Sequence, residues 1–461
     1  MPRRNAAWAA LTSASRWQLH GIRGSARAYD EGSMRALVPF VALVAAACRN
    51  PPAATAPARD AAIPPAPAPV ATPAPLPPEP EPCEPPAPTA TTGETLTLLP
   101  VAWDQLPGWA ADRQSAAVPA FVASCAVLAT LGDDDRVGAG PYGGYARDWR
   151  AACAAAAKLP AGDDAAARAF FEAEFHAYAA HGSDGAKAKL SGYYVQPLRG
   201  SRQRGGPYQT PVLARPPDLV EVQLSDFIPD GRDRRIWGRV GEHGELEPYP
   251  ARTEIRQHPD RYPVLLWVDD PVDEIFAEIE GSGRVTLADG STLWIGFDGK
   301  NGHRYHGVGG ILRRMGLLKR GQGTMQGIRA WFAAHPGRVA EIADHSPSKV
   351  FFHELAAKGA VGTQGVVLTA SRSIAVDRAV IPLSTPVWVA TRAPVAGKRG
   401  TVTWRHLLIA QDTGGAILGP VRGDVYWGDD AAAGDVAGRM GGPGRMWLLL
   451  PRGATLPAPG E

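Results

Sequence analysis

In the last hundred residues, short apolar runs are separated by glycines and by three aspartates. The apolar runs favour β-strands. The runs are VVLTA, VWVATR, TVTWRHLLIA, GDVYW and MWLLLP. Asp377, Asp412 and Asp424 each lie beside small residues or one of these runs. An ionised carboxylate next to apolar strands must be hydrogen-bonded or functional, because burying an unpaired charge is costly. Each aspartate alone could form an Asx-turn or cap a strand end. Three in one stretch favour a shared polar site.

The central part of the chain also consists of short apolar runs, separated by Asp, Pro and Gly. VEVQL, RYPVLLWV, RVTLADG and STLWIGF suit antiparallel strands in a barrel, and MQGIRAWFAAH predicts a helix among them. The 52 glycines and 44 prolines favour turns and short strands over long helices. Periodicity therefore predicts a mostly β protein with two lobes.

Helices are predicted before this β-rich part, at 111–130 and 145–158. Asp163 and Asp164 can cap a third helix, which continues through FFEAEFHAY and ends near Gly182. Apolar side chains share one face of the first helix at three- and four-residue spacing: Val118, Phe121, Val122, Cys125 and Leu128. Cys125 and Cys153 lie on adjacent helices and can pair in an exported protein. Two reduced, buried cysteines are the alternative.

The N-terminal part predicts export and lipid anchoring. Residues 36–47 form an apolar run of twelve, too short to span a membrane and suited to a signal peptide over 34–48. The run ends in AAAC at Cys48, the expected lipidation site, although a long signal anchor or a buried helix is an alternative. Residues 1–33 lack a signal pattern, so translation is expected to begin at Met34. Residues 49–93 are rich in Pro and Ala and predict a semi-rigid tether.

Several function classes find no support in the sequence. The net charge is +2 and the basic residues are spread along the chain, so no nucleic-acid surface is predicted. His303 and His306 are joined by no HExxH or Cys/His set, so no metal is expected. GSG at 281–283 lacks dinucleotide-site spacing, and no GxSxG of a serine hydrolase occurs. No cofactor is therefore predicted.

Ordered sequence blocks resemble one known family. IAQDTGGAI, GDVYWG, the SIAVD run and AGRMGGPGRMWLLLP resemble the 3D (three-aspartate) domain of the membrane-bound lytic murein transglycosylase A (MltA) family. LSGYY, EIEGSGRVTLADG, GFDGKNGHRYHGVGGIL, MQGIRAWFAAHP and VFF resemble further blocks of that family, in the same order. The resemblance covers roughly residues 95–455.

This resemblance implies two domains around a groove. One is a double-psi β-barrel with N-terminal helices, formed by 94–199 and 362–455. The other is a β-barrel inserted at 200–361, expected to bind glycan.

The implied chemistry is cleavage of the β-1,4 bond between N-acetylmuramic acid and N-acetylglucosamine, leaving 1,6-anhydromuramoyl ends. Because the muramoyl O6 hydroxyl attacks its own C1, one carboxyl group can act first as acid and then as base. The family's catalytic aspartate maps onto Asp424. Asp412 is expected close by, where repulsion between two ionised groups would raise one pKa. Asp377 is expected to organise the barrel.

The other blocks supply candidate glycan contacts, each of which could instead be structural: Tyr193, Tyr194, Ser282, Gly283, Asn301, His303 and Tyr305. Two positions depart from the family's usual pattern. Val195 stands in GYYVQP where the family has GYYEP or GYYTP, and Glu280 stands in EGSG where the family has QGSG. Val195 therefore places one substrate contact in doubt.

The expected protein is a monomeric, lipid-anchored enzyme of the outer membrane. It is expected to face the periplasm and to act on peptidoglycan glycan strands. Cell-wall synthases are candidate partners, and the membrane is expected to be contacted through the lipid alone. The alternative function is a non-catalytic peptidoglycan-binding or wall-loosening lipoprotein, since fold alone does not settle function.

Overall fold

The computed structural model describes residues 96–182, 188–228, 235–319 and 321–454. The predicted signal peptide, lipidated Cys48 and the tether at 49–93 lie outside these residues. None of the helices within these ranges has both the length and the apolar character needed to cross a membrane.

The N-terminal part forms three strands and three α-helices. They are β1 (Leu96–Val101), α1 (Val118–Leu128), α2 (Ala146–Ala156), α3 (Asp164–Glu174), β2 (Phe175–Gly182) and β3 (Ala188–Tyr193). Asp163 caps α3, since its side chain accepts the N–H of Ala166 at 2.9 Å. The helix predicted to reach Gly182 is wrong beyond Glu174, because FHAYAAHG pairs as β2 with β1 and with the C-terminal strand. Cys125 and Cys153 form a disulfide between α1 and α2.

The central part carries most of the helices. Its elements are β4 (Gln196–Ser201), β5 (Thr210–Leu213), β6 (Val220–Gln223), β7 (Arg235–Val240), β8 (Leu246–Pro248), α4 (Arg252–Gln257), β9 (Val264–Val268), α5 (Pro271–Glu280), β10 (Ser282–Leu287), β11 (Thr292–Lys300), α6 (Val308–Arg314), α7 (Met325–Ala334), α8 (Val339–Asp344) and β12 (Val350–Leu355). The helix predicted in MQGIRAWFAAH is confirmed as α7. Helices α5 to α8 pack around a shared apolar cluster that includes Phe276, Leu312 and Phe332.

The C-terminal part returns to strands. Its elements are β13 (Ser373–Val376), β14 (Pro386–Pro394), β15 (Thr401–Asp412), β16 (Arg422–Tyr426), α9 (Ala431–Ala437) and β17 (Gly441–Pro451). The strand predicted in VVLTA is wrong. Only a single bridge pairs Val361 with Val367 there, because the chain turns back and the N–H of Leu368 bonds the carbonyl of Ala360.

The first and last parts combine into one closed barrel. The sheet order is β1-β2-β17-β14-β15-β13-β16-β3, and β3 also pairs with β17, so six strands close into a ring. Leu190, Val387, Leu408 and Leu448 are among the fully or almost fully buried side chains of its interior. Gly444 permits the closure, since a Cβ there would lie 2.4 Å from Leu190 Cδ1 and 2.9 Å from the Ala390 carbonyl.

A second sheet forms a nearly closed barrel in the order β12-β11-β10-β4-β9-β5. A single bridge from Ala214 to Phe352 joins its two outer strands. Leu198, Val285 and Ile295 are buried inside it. Together with the first barrel and its helices, this sheet confirms the predicted fold class, mainly β with a double-psi-type barrel and an inserted barrel. The chain passes between the two sheets at Tyr194 and Val195, slightly before the boundary expected at residue 200.

Candidate active site

Strand register places two of the three aspartates in one row across the closed barrel. Ala375 of β13 is the partner of Asp412 on β15 and of Asp424 on β16. On its far side Asp424 is the partner of Ser191 on β3. Neighbouring strands lie about 4.8 Å apart, so the Cα atoms of the two aspartates are separated by roughly 10 Å. The fold thus brings Asp412 and Asp424 to the same region, as the sequence predicts.

Asp424 is half-buried and held by a short chain of hydrogen bonds. The hydroxyl of Ser191 donates to Oδ1 of Asp424 at 2.6 Å. Nη2 of Arg422 donates to the same hydroxyl oxygen at 2.7 Å, which aims the serine proton at the carboxylate. Arg422 therefore acts on Asp424 through Ser191 as well as through its charge.

Asp412 accepts four hydrogen bonds. Oδ2 accepts the hydroxyl of Tyr193 at 2.8 Å. Oδ1 accepts the backbone N–H and the hydroxyl of Thr363, at 2.8 and 2.9 Å, and the N–H of Thr413 at 2.8 Å. This carboxylate thereby fixes the loop before β13 against the end of β15.

Asp377 is bonded to loops at the end of β13. Its Oδ1 accepts the N–H of Ala379 at 3.1 Å, and its Oδ2 accepts the N–H of Gly419 at 2.7 Å. Gly419 lies just before β16, the strand that carries Asp424. Asp377 therefore connects the segment that leads into β16 with the first residues after β13. These contacts fit the expected role of Asp377 in organising the barrel, which stays a prediction.

Burial raises the pKa of both site carboxyl groups. The pKa of Asp424 is raised by burial and by the charge of Asp412, while the Ser191 hydrogen bond and the charge of Arg422 act in the opposite direction. The pKa of Asp412 is also raised by burial, although its bonds from Thr363, Tyr193 and Thr413 oppose the change. A raised pKa favours the neutral acid, which is the form that can donate a proton.

The two adjacent tyrosines have different surroundings. Tyr193 is half-buried, bonded to Asp412, with its ring 5.4 Å from that of Tyr426. Tyr194 is only 4% exposed and packs on Ala433 and Ala437 of α9. Its hydroxyl donates to Gln196. Tyr194 is therefore a core residue, the structural alternative to a glycan contact, whereas Tyr193 belongs to the carboxylate cluster.

Val195 is fully buried beside Ala360, Leu368 and Tyr426. An apolar side chain suits this pocket. At the position where the resemblance predicts a polar side chain, this chain therefore has an apolar packing contact.

Two of the glycan contacts predicted in the inserted barrel, Asn301 and Gly283, are occupied by contacts within the protein. Asn301 is 1% exposed, and both of its amide hydrogens donate to backbone carbonyls, those of Pro250 and Pro347. This placement argues against a glycan contact by Asn301. Gly283 is closely packed, because a Cβ there would lie 2.8 Å from Leu198 Cδ1.

The remaining candidates lie nearer the surface. Ser282 is half-buried at the start of β10. Nε2 of His303 lies 2.6 Å from the carbonyl oxygen of Tyr249, and Tyr305 is 45% exposed. Their roles as glycan contacts stay predictions. Within the described ranges, no three His, Cys, Asp or Glu side chains are grouped to hold a metal ion.

Sequence reasoning missed four residues of this site: Ser191, Thr363, Arg422 and, as a site residue, Glu280. Ser191 could have been found, because alternate residues of a strand share a face and Ser191 precedes Tyr193 by two. No sequence pattern marks Thr363 or Arg422 as a site residue, since their positions depend on pairing between segments that are distant in the chain. Glu280 is visible in the sequence as a departure from the usual pattern, and its Oε2 accepts the N–H of Tyr194 at 3.2 Å.

Comparison with known proteins matches two parts of the chain to described domain families. A profile described as the MltA specific insert domain matches residues 189–353, and one described as the 3D domain matches residues 372–450. Membrane-bound lytic murein transglycosylase A of Escherichia coli K12 is 30% identical over 268 residues, which is 57% of this chain and 65% of that protein. The chain thus spans slightly less than two thirds of that relative.

Solved structures match over a larger share. MltA from Neisseria gonorrhoeae is 31% identical, with a TM-score of 0.65 over 79% of this chain and 95% of that one. The lytic transglycosylase LtgG of Burkholderia pseudomallei is 38% identical, with a TM-score of 0.51 over 77% of this chain and 95% of that one. With the two profiles, the strand order and the row of carboxyl groups, these matches show that the chain belongs to the membrane-bound lytic murein transglycosylase A (MltA) family.

Proposed function

We propose that this protein is a lytic transglycosylase that cleaves the β-1,4 bond between N-acetylmuramic acid and N-acetylglucosamine in peptidoglycan. The observation that carries the proposal is Asp424, a half-buried carboxyl group with a raised pKa beside a second carboxyl group in a closed barrel. The relatives' names as lytic transglycosylases support the same activity.

Asp424 acts twice in the proposed reaction. As an acid it protonates the bridging O4 while the bond from O4 to muramoyl C1 breaks. As the resulting carboxylate it removes the proton of the muramoyl O6 hydroxyl, whose oxygen bonds to C1 and forms the 1,6-anhydro ring. Asp424 ends protonated, as it began, so no water is consumed and no external base is needed.

Asp412 and Asp377 support this reaction. Asp412 contributes negative charge, which helps to keep Asp424 protonated. It also positions Tyr193 and the loop at Thr363. Asp377 holds the turn before β16. In this proposal the closed barrel and its helices, expected over 94–199 and 362–455, form the catalytic domain. The second sheet and its helices, expected over 200–361 and beginning with β4 at Gln196, form the glycan-binding domain.

Digestion of purified peptidoglycan tests the proposal. We expect wild type to release fragments with 1,6-anhydromuramoyl ends, identified by mass spectrometry. Asp424→Asn keeps the shape but cannot cycle a proton, so its rate should fall by at least about 10²–10⁴-fold. Fragments with reducing ends would indicate a hydrolase, and absence of release would favour a non-catalytic binder. Near-normal turnover of Asp424→Asn, with an inactive Asp412→Asn, would move the acid to Asp412.

The place of action is part of the proposal. Relatives are named membrane-bound, which supports attachment of this protein to a membrane. Lipid at Cys48, the outer membrane, the periplasm, a monomeric state and contacts with cell-wall synthases stay predictions. Fatty-acid labelling of wild type and Cys48→Ser tests the anchor, since only wild type should be labelled.

A further inference from the structure

Glu280 reaches from the inserted barrel to the strand that holds the catalytic carboxyl groups. It is the last residue of α5, and its Oε2 accepts the N–H of Tyr194, directly after β3. Ser191 and Tyr193 of β3 bond Asp424 and Asp412. Three carboxyl groups, from both barrels, are thus held by the four residues 191–194.

The surroundings of Glu280 favour its neutral form. Burial raises its pKa to about 8, and the charge of Asp424 contributes to the rise, while the Tyr194 N–H and the charge of Arg329 oppose it. Arg329 is itself engaged, because it donates to Asp273 and to Gln196.

Further groups face Glu280 from other elements. Its charge acts on the hydroxyl of Tyr194, which also feels Asp273, and on that of Tyr305 in the loop after β11. Neither tyrosine supplies a positive charge. The neutral carboxylic acid therefore predominates at pH 7.

A neutral carboxylic acid limits what Glu280 can do. Since it already holds a proton at pH 7, it cannot serve as the base that takes the O6 proton. With Oε2 accepting from Tyr194, the O–H on its other oxygen is left to donate to a glycan bound beside Asp424, as one N–H of a glutamine amide would. The hydroxyl and acetamido oxygens of the glycan are such acceptors.

We propose that Glu280 is a second acid of the active site, which donates a hydrogen bond to the bound glycan when neutral and weakens glycan binding when it ionises. This inference rests on the proposed function and adds to it a specific residue that makes glycan binding depend on pH. Ionisation removes the donor and places a further negative charge beside Asp424.

Binding of an N-acetylglucosamine hexamer, measured by calorimetry from pH 6 to pH 9.5, tests the inference. Asp424→Asn is the background, because it removes cleavage and the titration of Asp424. In that background we expect constant affinity at low pH and a loss of about tenfold per pH unit above the Glu280 pKa. In this background the pKa of Glu280 is lower than in wild type, since the charge of Asp424 no longer raises it.

Three double variants complete the experiment. Asp424→Asn with Glu280→Gln should bind with the same affinity at every pH, because an amide keeps the donor and does not titrate. With Glu280→Ala, binding should be weak at every pH. With Glu354→Gln, which alters an exposed carboxylate paired with Arg202 at 2.7 Å, the alkaline loss should persist.

The inference is overturned if the hexamer binds the Asp424→Asn background equally at every pH, or if the Glu280→Gln variant keeps the alkaline loss. The proposed function is judged separately, by anhydro-fragment release from wild type at pH 7. Fragment release without an alkaline loss of binding rejects Glu280 alone, and an alkaline loss without fragment release rejects the catalytic function alone.

Discussion

Replacement of Ser191 by alanine should move the alkaline limit of catalysis upward. The Ser191 hydroxyl donates to Asp424 at 2.6 Å, and this bond is strongest when Asp424 is ionised. Hydrogen bonds to charged groups contribute about 1.5–3 kcal/mol. One pKa unit corresponds to about 1.4 kcal/mol. Because the site is half exposed, the lower value applies, and loss of the bond should raise the pKa of Asp424 by about one unit.

The sign follows from the role of Asp424 as an acid. A higher pKa keeps Asp424 protonated to higher pH, so the alkaline limb of kcat/KM moves up by about one unit. The assay is the initial rate of anhydro-fragment release from peptidoglycan between pH 4 and pH 9. Ser191→Thr keeps the hydroxyl and should retain the wild-type limb.

An unchanged or lowered limb in Ser191→Ala would refute this reasoning. A lowered limb would mean that Arg422, which donates to Ser191 at 2.7 Å, approaches Asp424 once the hydroxyl is gone. The experiment should be repeated with Glu280→Gln, since ionisation of Glu280 adds a negative charge near Asp424 in the same pH range.

Three further predictions concern stability. Replacing Cys125 and Cys153 by serine opens a disulfide with a sequence separation of 28 and should lower the free energy of unfolding by about 3–4 kcal/mol in urea titrations; equal urea midpoints would contradict it. Asp377→Asn weakens two backbone hydrogen bonds and should lower the free energy of unfolding by about 1 kcal/mol. The melting temperature and the activity should therefore fall together; lost activity with an unchanged melting temperature would contradict the scaffold role. Asp112→Asn breaks a buried pair with Arg372 and should cost about 3–5 kcal/mol at pH 7. Burial raises the pKa of Asp112, but its bonds to His406, Arg372 and Leu407 outweigh burial and lower it. The stabilisation is therefore complete above the unfolded pKa near 4 and disappears as pH falls through the lower folded pKa, so urea midpoints of wild type and variant should converge in strong acid.

Continuous apolar runs made the C-terminal strands predictable, whereas alanine-rich and loop segments were ambiguous. VWVATR and MWLLLP became β14 and β17, because buried strands need apolar side chains at most positions. FHAYAAHG follows a helix and contains three alanines, which favour helix, yet pairing with β1 and β17 makes it a strand. Local propensity cannot anticipate this pairing.

The candidate site was predictable in its carboxyl groups and not in their partners. Asp412 and Asp424 could be identified by the resemblance. Ser191 lies 233 residues from Asp424 in sequence, so its contact depends on the closure of the barrel. Burial is equally hidden from the sequence: Asn301 is a candidate glycan contact there, but in the structure its amide group joins backbone segments inside the protein.

Closure of the barrel has an electrostatic consequence. β15 and β16 are each paired on both sides, β15 with β13 and β14, and β16 with β13 and β3. Two carboxylates on a free edge could relieve their repulsion by moving apart. In a ring of paired strands, separation of Asp412 and Asp424 would break ladder hydrogen bonds on both sides of a strand. Uptake of a proton is the less costly response, so the rigidity of the backbone adds to the rise that burial causes in the pKa of Asp424.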